Sequence, residues 1–131
     1  MKYLFISILL VLLVNCKLKK DDSSERFKQS KIKISYTTFN FGKITIGDTV
    51  NCTFFIKNIS EEKFIIDTVG TSCGCTTTTF TKDSVQKNGF AKINIQYIAD
   101  NVGKISKSIV ASDNTQQSFH TFYLKGSVVS H

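Results

Sequence analysis

The segment Val50-Asn-Cys-Thr-Phe-Phe-Ile-Lys-Asn58 decides the fold class of this chain. Val50, Cys52, Phe54 and Ile56 occupy every second position, and mostly polar residues stand between them. Because side chains alternate between the two faces of a strand, this period of two predicts a strand with one buried and one solvated face.

Similar short runs lie on both sides of this segment, at residues 32–36, 39–41, 64–69, 76–80, 90–98, 105–111 and 119–128. Turn residues separate them, as at Asn88-Gly89, and no helical period extends beyond one turn. About seven short strands in about 100 residues predict an all-β fold, an immunoglobulin-like antiparallel β-sandwich, over residues 32–131. The chain has no proline or tryptophan, so it lacks the Cys…Trp…Cys arrangement of antibody domains.

Residues 1–15 have the pattern of a secretory signal peptide. Lys2 precedes an apolar run at residues 4–14, which is too short for a spanning helix of roughly 20 residues. The run ends in Leu13-Val14-Asn15-Cys16, which resembles the lipobox of bacterial lipoproteins, although Asn15 replaces the usual small residue. We therefore expect lipid attachment at Cys16; an ordinary signal peptide or an uncleaved anchor is the alternative.

Residues 16–31 read as an acylated cysteine followed by a disordered basic tether, since they are polar and lack an apolar period. This places the protein in the bacterial cell envelope with the membrane as its first partner, either on the periplasmic side or at the cell surface. The chain carries 17 basic and 10 acidic residues. The basic residues beyond residue 31 are scattered and form no continuous stripe, so nucleic-acid binding is not expected.

Cys73-Gly74-Cys75 is the strongest candidate for chemistry, but the favoured interpretation is structural: two small, partly buried residues where residues 71–79 bend between the sheets. Once Cys16 carries lipid, three cysteines remain, so at most one internal disulfide can form. Gly74 relaxes the backbone enough for a Cys73–Cys75 disulfide, and pairing of either cysteine with Cys52 is a second option. Two thiolates could instead bind Cu(I), whereas zinc needs four ligands. A redox pair usually lies at a helix N-terminus, which is absent from this pattern.

Five motifs in order resemble a known bacterial envelope family, that of domain of unknown function 1573. They are Phe39-Asn-Phe-Gly42, Gly47, Phe54-Phe-Ile-Lys-Asn58, Thr71-Ser-Cys-Gly-Cys-Thr76 and Lys125-Gly126. The resemblance covers residues 34–129 and departs at Lys87-Asn88-Gly89, where the family has Pro-Gly. It implies an immunoglobulin-like sandwich similar to the PapD and major sperm protein group, often in a lipoprotein, with no established biochemical activity.

No catalytic constellation is expected. His120 and His131 have no serine or cysteine partner in a local motif, and the aspartates fall mostly at turns, where they cap the backbone. The sequence thus predicts a non-catalytic envelope lipoprotein that binds an unknown protein partner, without a cofactor or small-molecule substrate. The alternative is a copper, zinc or thiol-redox protein that uses Cys73 and Cys75.

Overall fold

A computed structural model describes residues 29–131. It contains eight strands: β1 (Ile32–Ile34), β2 (Thr38–Thr45), β3 (Thr49–Asn58), β4 (Ile66–Thr71), β5 (Thr76–Phe80), β6 (Phe90–Ile98), β7 (Gly103–Asp113) and β8 (Phe119–Val129). The predicted signal peptide, Cys16 and the tether up to residue 28 lie outside the described residues. No helix between residues 29 and 131 is long and apolar enough to cross a membrane.

The strands form two four-stranded sheets, with the orders β1-β3-β6-β5 and β2-β8-β7-β4. The predicted immunoglobulin-like sandwich is thereby confirmed, with eight strands instead of about seven. One pairing differs from the antiparallel prediction, because β2 runs parallel to β8. The chain crosses between the sheets after Ile34, so β2 joins the second sheet beside the last strand rather than forming a hairpin with β1.

The core lies between the two sheets and is built from the alternating apolar positions. Phe54 of β3 and Phe122 of β8 have no exposed surface, and their ring centroids are 4.8 Å apart across the layers. Ile56, Ile93 and Leu124 are equally buried. The period of two in the sequence therefore selects the inward face of each strand.

The domain begins slightly before the predicted boundary at residue 32. Ser30 is 3% exposed, pairs with Thr115 in an isolated bridge, and donates its hydroxyl hydrogen to Asn114 Oδ1 at 3.0 Å. The Lys31 carbonyl accepts a hydrogen bond from Ile59 N at 2.9 Å. These backbone and side-chain contacts place the last two residues of the predicted tether within the sandwich.

Asn58, at the end of β3, fixes two loops from a fully buried position. Its Nδ2 donates to the Glu62 carbonyl at 2.7 Å and to the Val85 carbonyl at 2.9 Å. Its Oδ1 accepts from Ser60 N at 3.0 Å and from Ser60 Oγ at 2.9 Å. A buried amide with all four hydrogen-bonding capacities used is a structural residue.

Candidate functional site

The segment between β4 and β5 carries the chain from one sheet to the other. Within it, Cys73 and Cys75 form a disulfide with an S–S distance of 2.09 Å and a Cα–Cα distance of 5.4 Å. Both cysteines are partly exposed, and Gly74 between them faces solvent. The pair is therefore a solvent-accessible corner at the entry to β5.

Hydrogen bonds attach this corner to the strands on either side. Thr71 Oγ1 donates to the Cys73 carbonyl at 3.1 Å, and Thr76 N donates to the same carbonyl at 3.4 Å. The Cys75 carbonyl accepts from Ile98 N at 3.1 Å, which is the first bond between the β5 region and β6. The disulfide thus holds the two backbone carbonyls that orient the start of β5.

A metal site at the corner would need further ligands. Within residues 29–131 no group of three or more His, Cys, Asp or Glu side chains comes together. His120, which a zinc site would need beside the two cysteines, instead contacts Thr115 Oγ1 at 3.1 Å and Asp113 Oδ2 at 3.3 Å. The donors around Cys73 and Cys75 therefore do not fit a closed zinc site.

Asp113, Thr115 and His120 form a cluster that the sequence pattern does not predict. The Asp113 side chain is fully buried and its Oδ1 accepts a hydrogen bond from Thr115 N at 2.9 Å, as in an Asx turn. The Asp-Asn-Thr turn at residues 113–115 was a signal for that bond, but nothing local marked His120 as its neighbour.

The cluster differs from a catalytic triad in the nitrogen that is used. A triad carboxylate binds one ring nitrogen of histidine while the hydroxyl binds the other. Here both Asp113 Oδ2 and Thr115 Oγ1 lie beside His120 Nε2. The arrangement closes the turn before β8 and does not prepare a nucleophile.

Cys52 remains a free thiol in the core, and it does not pair with either cysteine of the corner. Burial raises the pKa of the Cys52 thiol from 9.0 to about 11. Because its pKa in the folded state is the higher one, the thiol contributes stability below pH 9, which is lost as pH rises towards 11. Only the thiolate is a nucleophile, so Cys52 is unreactive near neutral pH.

In protein whose Cys16 carries lipid, we expect iodoacetamide at pH 8 to add no label to the native state, because Cys52 is buried and protonated. After unfolding without reductant one label per chain is expected, and after unfolding with reductant three, since Cys73 and Cys75 are then free. Intact-mass spectrometry counts the labels. An Asn51→Cys variant, exposed on the same strand, serves as the reactive control. Rapid labelling of native Cys52 would contradict the buried thiol.

The outer face of the first sheet forms a shallow depression of about 550 Å³ beside β5. Its polar lining is uncharged and cross-linked by side-chain hydrogen bonds. Thr53 Oγ1 donates to Asn94 Oδ1 at 2.9 Å, and Asn94 Nδ2 donates to Thr79 Oγ1 at 3.2 Å. The edge of the sheet at β5 therefore borders a flat, uncharged polar surface.

A family model described as "Protein of unknown function (DUF1573)" matches residues 32–128. This span contains all eight strands except the last residue of β8, together with the Cys73–Cys75 corner. No curated protein matches the sequence at a significant level.

Solved structures similar to this chain share its fold. The PapD-like domain 7 of human CEP192 superposes with a TM-score of 0.65 at 10% identity, covering 79% of this chain and 88% of that one. A Porphyromonas gingivalis W83 protein of unknown function superposes with a TM-score of 0.65 at 16% identity, covering 75% of this chain and 46% of that one. A Clostridium perfringens family 123 glycoside hydrolase superposes with a TM-score of 0.60 at 13% identity, covering 79% of this chain and 27% of that one. This chain thus spans less than half of the second protein and about a quarter of the third. Identities this low establish a shared PapD-like, immunoglobulin-like fold alone.

Proposed function

This chain belongs to the DUF1573 family of proteins of unknown function, and we propose that it is a non-catalytic binding module of the bacterial cell envelope. In this proposal the sandwich binds another envelope protein, and the N-terminal segment keeps the pair at a membrane. The partner in this proposal is a protein, since residues 29–131 offer strand edges and a shallow polar depression to which another chain can bind.

The observation that carries the proposal is the open edge. Each sheet ends in two outer strands, β1 and β5 in one and β2 and β4 in the other. An outer strand has one row of backbone N–H and C=O groups without a partner strand, and proteins use such rows to add a strand from another chain. Two-layer sandwiches of this class therefore support protein recruitment without any reactive group.

The membrane attachment rests on the sequence of the leader. The apolar run at residues 4–14 followed by Leu13-Val14-Asn15-Cys16 matches a lipoprotein signal except at Asn15. Each buried CH₂ of an acyl chain contributes about 0.8 kcal/mol, so two or three chains on Cys16 would hold the protein firmly at a bilayer. The six basic residues between Lys17 and Lys31 would add attraction to anionic lipid.

Crosslinking in the native envelope tests this function. Intact cells expressing the full chain are treated with an amine-reactive crosslinker, and adducts are identified by mass spectrometry. We expect an adduct with a discrete envelope protein, and a mature protein that begins at a lipid-modified Cys16. The matched control is the leader and tether alone, residues 1–31, which lacks all eight strands of the sandwich. Equal adducts from both chains, or none from either, would contradict a binding function of the domain.

A thiol-redox function is the second candidate, and the solvent-accessible Cys73–Cys75 disulfide favours it. A dithiol reductant would attack one sulfur, break the S–S bond, and leave as a disulfide while Cys73 and Cys75 gain the two protons and two electrons. Thiol exchange of this kind would disappear in a Cys73→Ser/Cys75→Ser variant. Absence of thiol exchange by the wild-type protein would exclude this candidate.

A further inference from the structure

The four outer strands are not equally protected against a guest strand. β1 has only three residues and includes Lys33, β2 contains Lys43 and a register shift, and β4 contains Asp67 and a register shift. Short length, charge and irregular register all discourage pairing with another chain. β5 is Thr76–Phe80, with the sequence TTTTF, no charged residue, no proline and no shift in its register with β6.

The pairing of β5 with β6 decides which backbone groups face outward. The Cys75 carbonyl accepts from Ile98 N, and Thr81 N donates to the Lys92 carbonyl. Hydrogen-bonded pairs alternate with non-bonded pairs in an antiparallel ladder, so Thr77 and Thr79 also bond to β6. Thr78 and Phe80 therefore direct their N–H and C=O groups away from the sheet.

We propose that β5 is the docking strand, and that it takes an extended, uncharged segment of a partner protein as a fifth strand of the sheet β1-β3-β6-β5. This inference rests on the proposed binding function and specifies where the partner binds. The guest would bond to the outward groups of Thr78 and Phe80. Its side chains on the solvent side would lie next to Thr77 and Thr79, which carry no charge.

The surface beside this edge defines the chemistry of the guest. Thr79, Asn94 and Thr53 form a hydrogen-bonded row across three strands and offer no ion-pair partner. Recognition would depend on the backbone and on side chains that tolerate a flat polar neighbour. β-branched, uncharged residues satisfy both conditions, because they favour the extended conformation and need no counter-ion.

One other occupant fits less well. The N-terminal segment of this chain is unsuitable because eight of the twelve residues 17–28 are charged. The described chain also begins beside β1, about 14 Å across the sheet from β5, as three strand spacings require.

The disulfide orients the edge for this role. The Cys73 carbonyl accepts from Thr76 N, and the Thr71 hydroxyl shares its one hydrogen between the Cys73 carbonyl at 3.1 Å and the Thr76 carbonyl at 3.4 Å. The outward groups of Thr76 are therefore already bonded within the domain. The open part of the edge therefore starts at Thr78. The disulfide corner comes before it in the chain and separates β5 from β4.

The test uses purified full-length protein in detergent micelles and a phage library of random ten-residue peptides as the probe. We expect the enriched peptides to be uncharged and rich in β-branched residues. Thr78→Pro removes an outward N–H without removing a bond to β6, and should weaken binding at least tenfold. Thr79→Lys places a charge at the edge and should act in the same direction. The matched control is Thr49→Lys at the exposed start of β3, the same substitution on the same face but two strands inward and outside the hydrogen-bonded row, which should change binding less than twofold.

Circular dichroism verifies that each variant is folded. If Thr78→Pro does not fold, an enriched peptide with alternate backbone N-methyl groups decides with the wild-type protein, since only methyls on the β5-facing N–H groups should abolish binding. Peptides that bind wild type and Thr79→Lys equally would overturn the choice of β5 but leave the binding function intact. A library that yields no binder overturns recognition of an extended segment. Failure of the native crosslinking, in contrast, is what overturns the proposed function itself.

Discussion

The Asn58→Asp variant is expected to lose roughly 4 kcal/mol of unfolding free energy, because two buried donors are replaced by a charged acceptor. In the native domain Nδ2 of Asn58 bonds to the carbonyls of Glu62 and Val85. A carboxylate at this place would face both carbonyl oxygens in a position with no exposed surface. Such a loss is a large part of the roughly 5–15 kcal/mol typical of a domain.

Urea unfolding of full-length protein measures this effect, with an expected fall in the midpoint of roughly 2–3 M. The matched control is Asn51→Asp, which introduces the same charge on an exposed position of the same strand and should change stability by less than about 0.5 kcal/mol. Burial should raise the pKa of the carboxyl introduced by Asn58→Asp, so the deficit should shrink at acid pH, where the group is protonated. Equal midpoints for the two variants would refute the structural role of Asn58.

The Gly126→Ala variant is expected to be destabilised by about 1–3 kcal/mol, the usual cost of overpacking. A Cβ on Gly126 would overlap the Phe41 ring and come within 2.6 Å of its Cζ. That ring also packs against Tyr97, with 5.8 Å between centroids, so it cannot move without losing core contacts. Phe41 belongs to the first of the family motifs and Gly126 to the last, so these two motifs pack directly against each other.

A double-mutant cycle with Phe41→Ala isolates this contact. Removing the ring should abolish the cost of the new methyl group, so the loss in the double variant should be smaller than the sum of the single losses by at least about 1 kcal/mol. The matched control is Gly70→Ala on β4, where an added Cβ meets no atom within 4 Å and should be close to neutral. Additive losses would show that Gly126 is required for another reason.

The period of two was sufficient to predict most of the fold. It located the eight strand regions within a few residues, since an alternating apolar pattern has one consistent inward face. It placed the start of β4 at Phe64, whereas Phe64 instead makes an isolated bridge to Val85 and the strand begins at Ile66. Phe64 is fully buried, so its apolar side chain indicates a position in the core and not a place in a paired strand.

The sequence pattern does not predict which strands pair with each other. The parallel contact of β2 with β8 joins residues more than 80 positions apart, and no local signal specifies it. The burial of Asn58 and the neighbourhood of His120 and Asp113 depend on the same long-range packing. The open edge at β5 also depends on long-range packing, because the strand that lies beside β5 determines which of its sides stays unpaired.

The sequence did identify the residues of the corner. Cys73 and Cys75 were singled out with a disulfide, a metal site and redox exchange as alternatives, and the structure places them in a disulfide beside β5. Which role they serve stays a prediction, because their chemistry depends on partners that a single chain does not contain. The lipid on Cys16 and the location in the envelope likewise stay predictions.

Residue-resolved amide exchange, measured by NMR on the full chain, tests the open edge most directly. We expect the exchange rate to alternate along β5: fast exchange at Thr78 and Phe80, whose N–H groups face solvent, and slow exchange at Thr77 and Thr79, which bond to β6. A bound peptide from the library should then slow Thr78 and Phe80 specifically. Slow exchange at Thr78 and Phe80 in the free protein would mean that the edge is already covered, and would contradict the assignment of β5 as the docking strand.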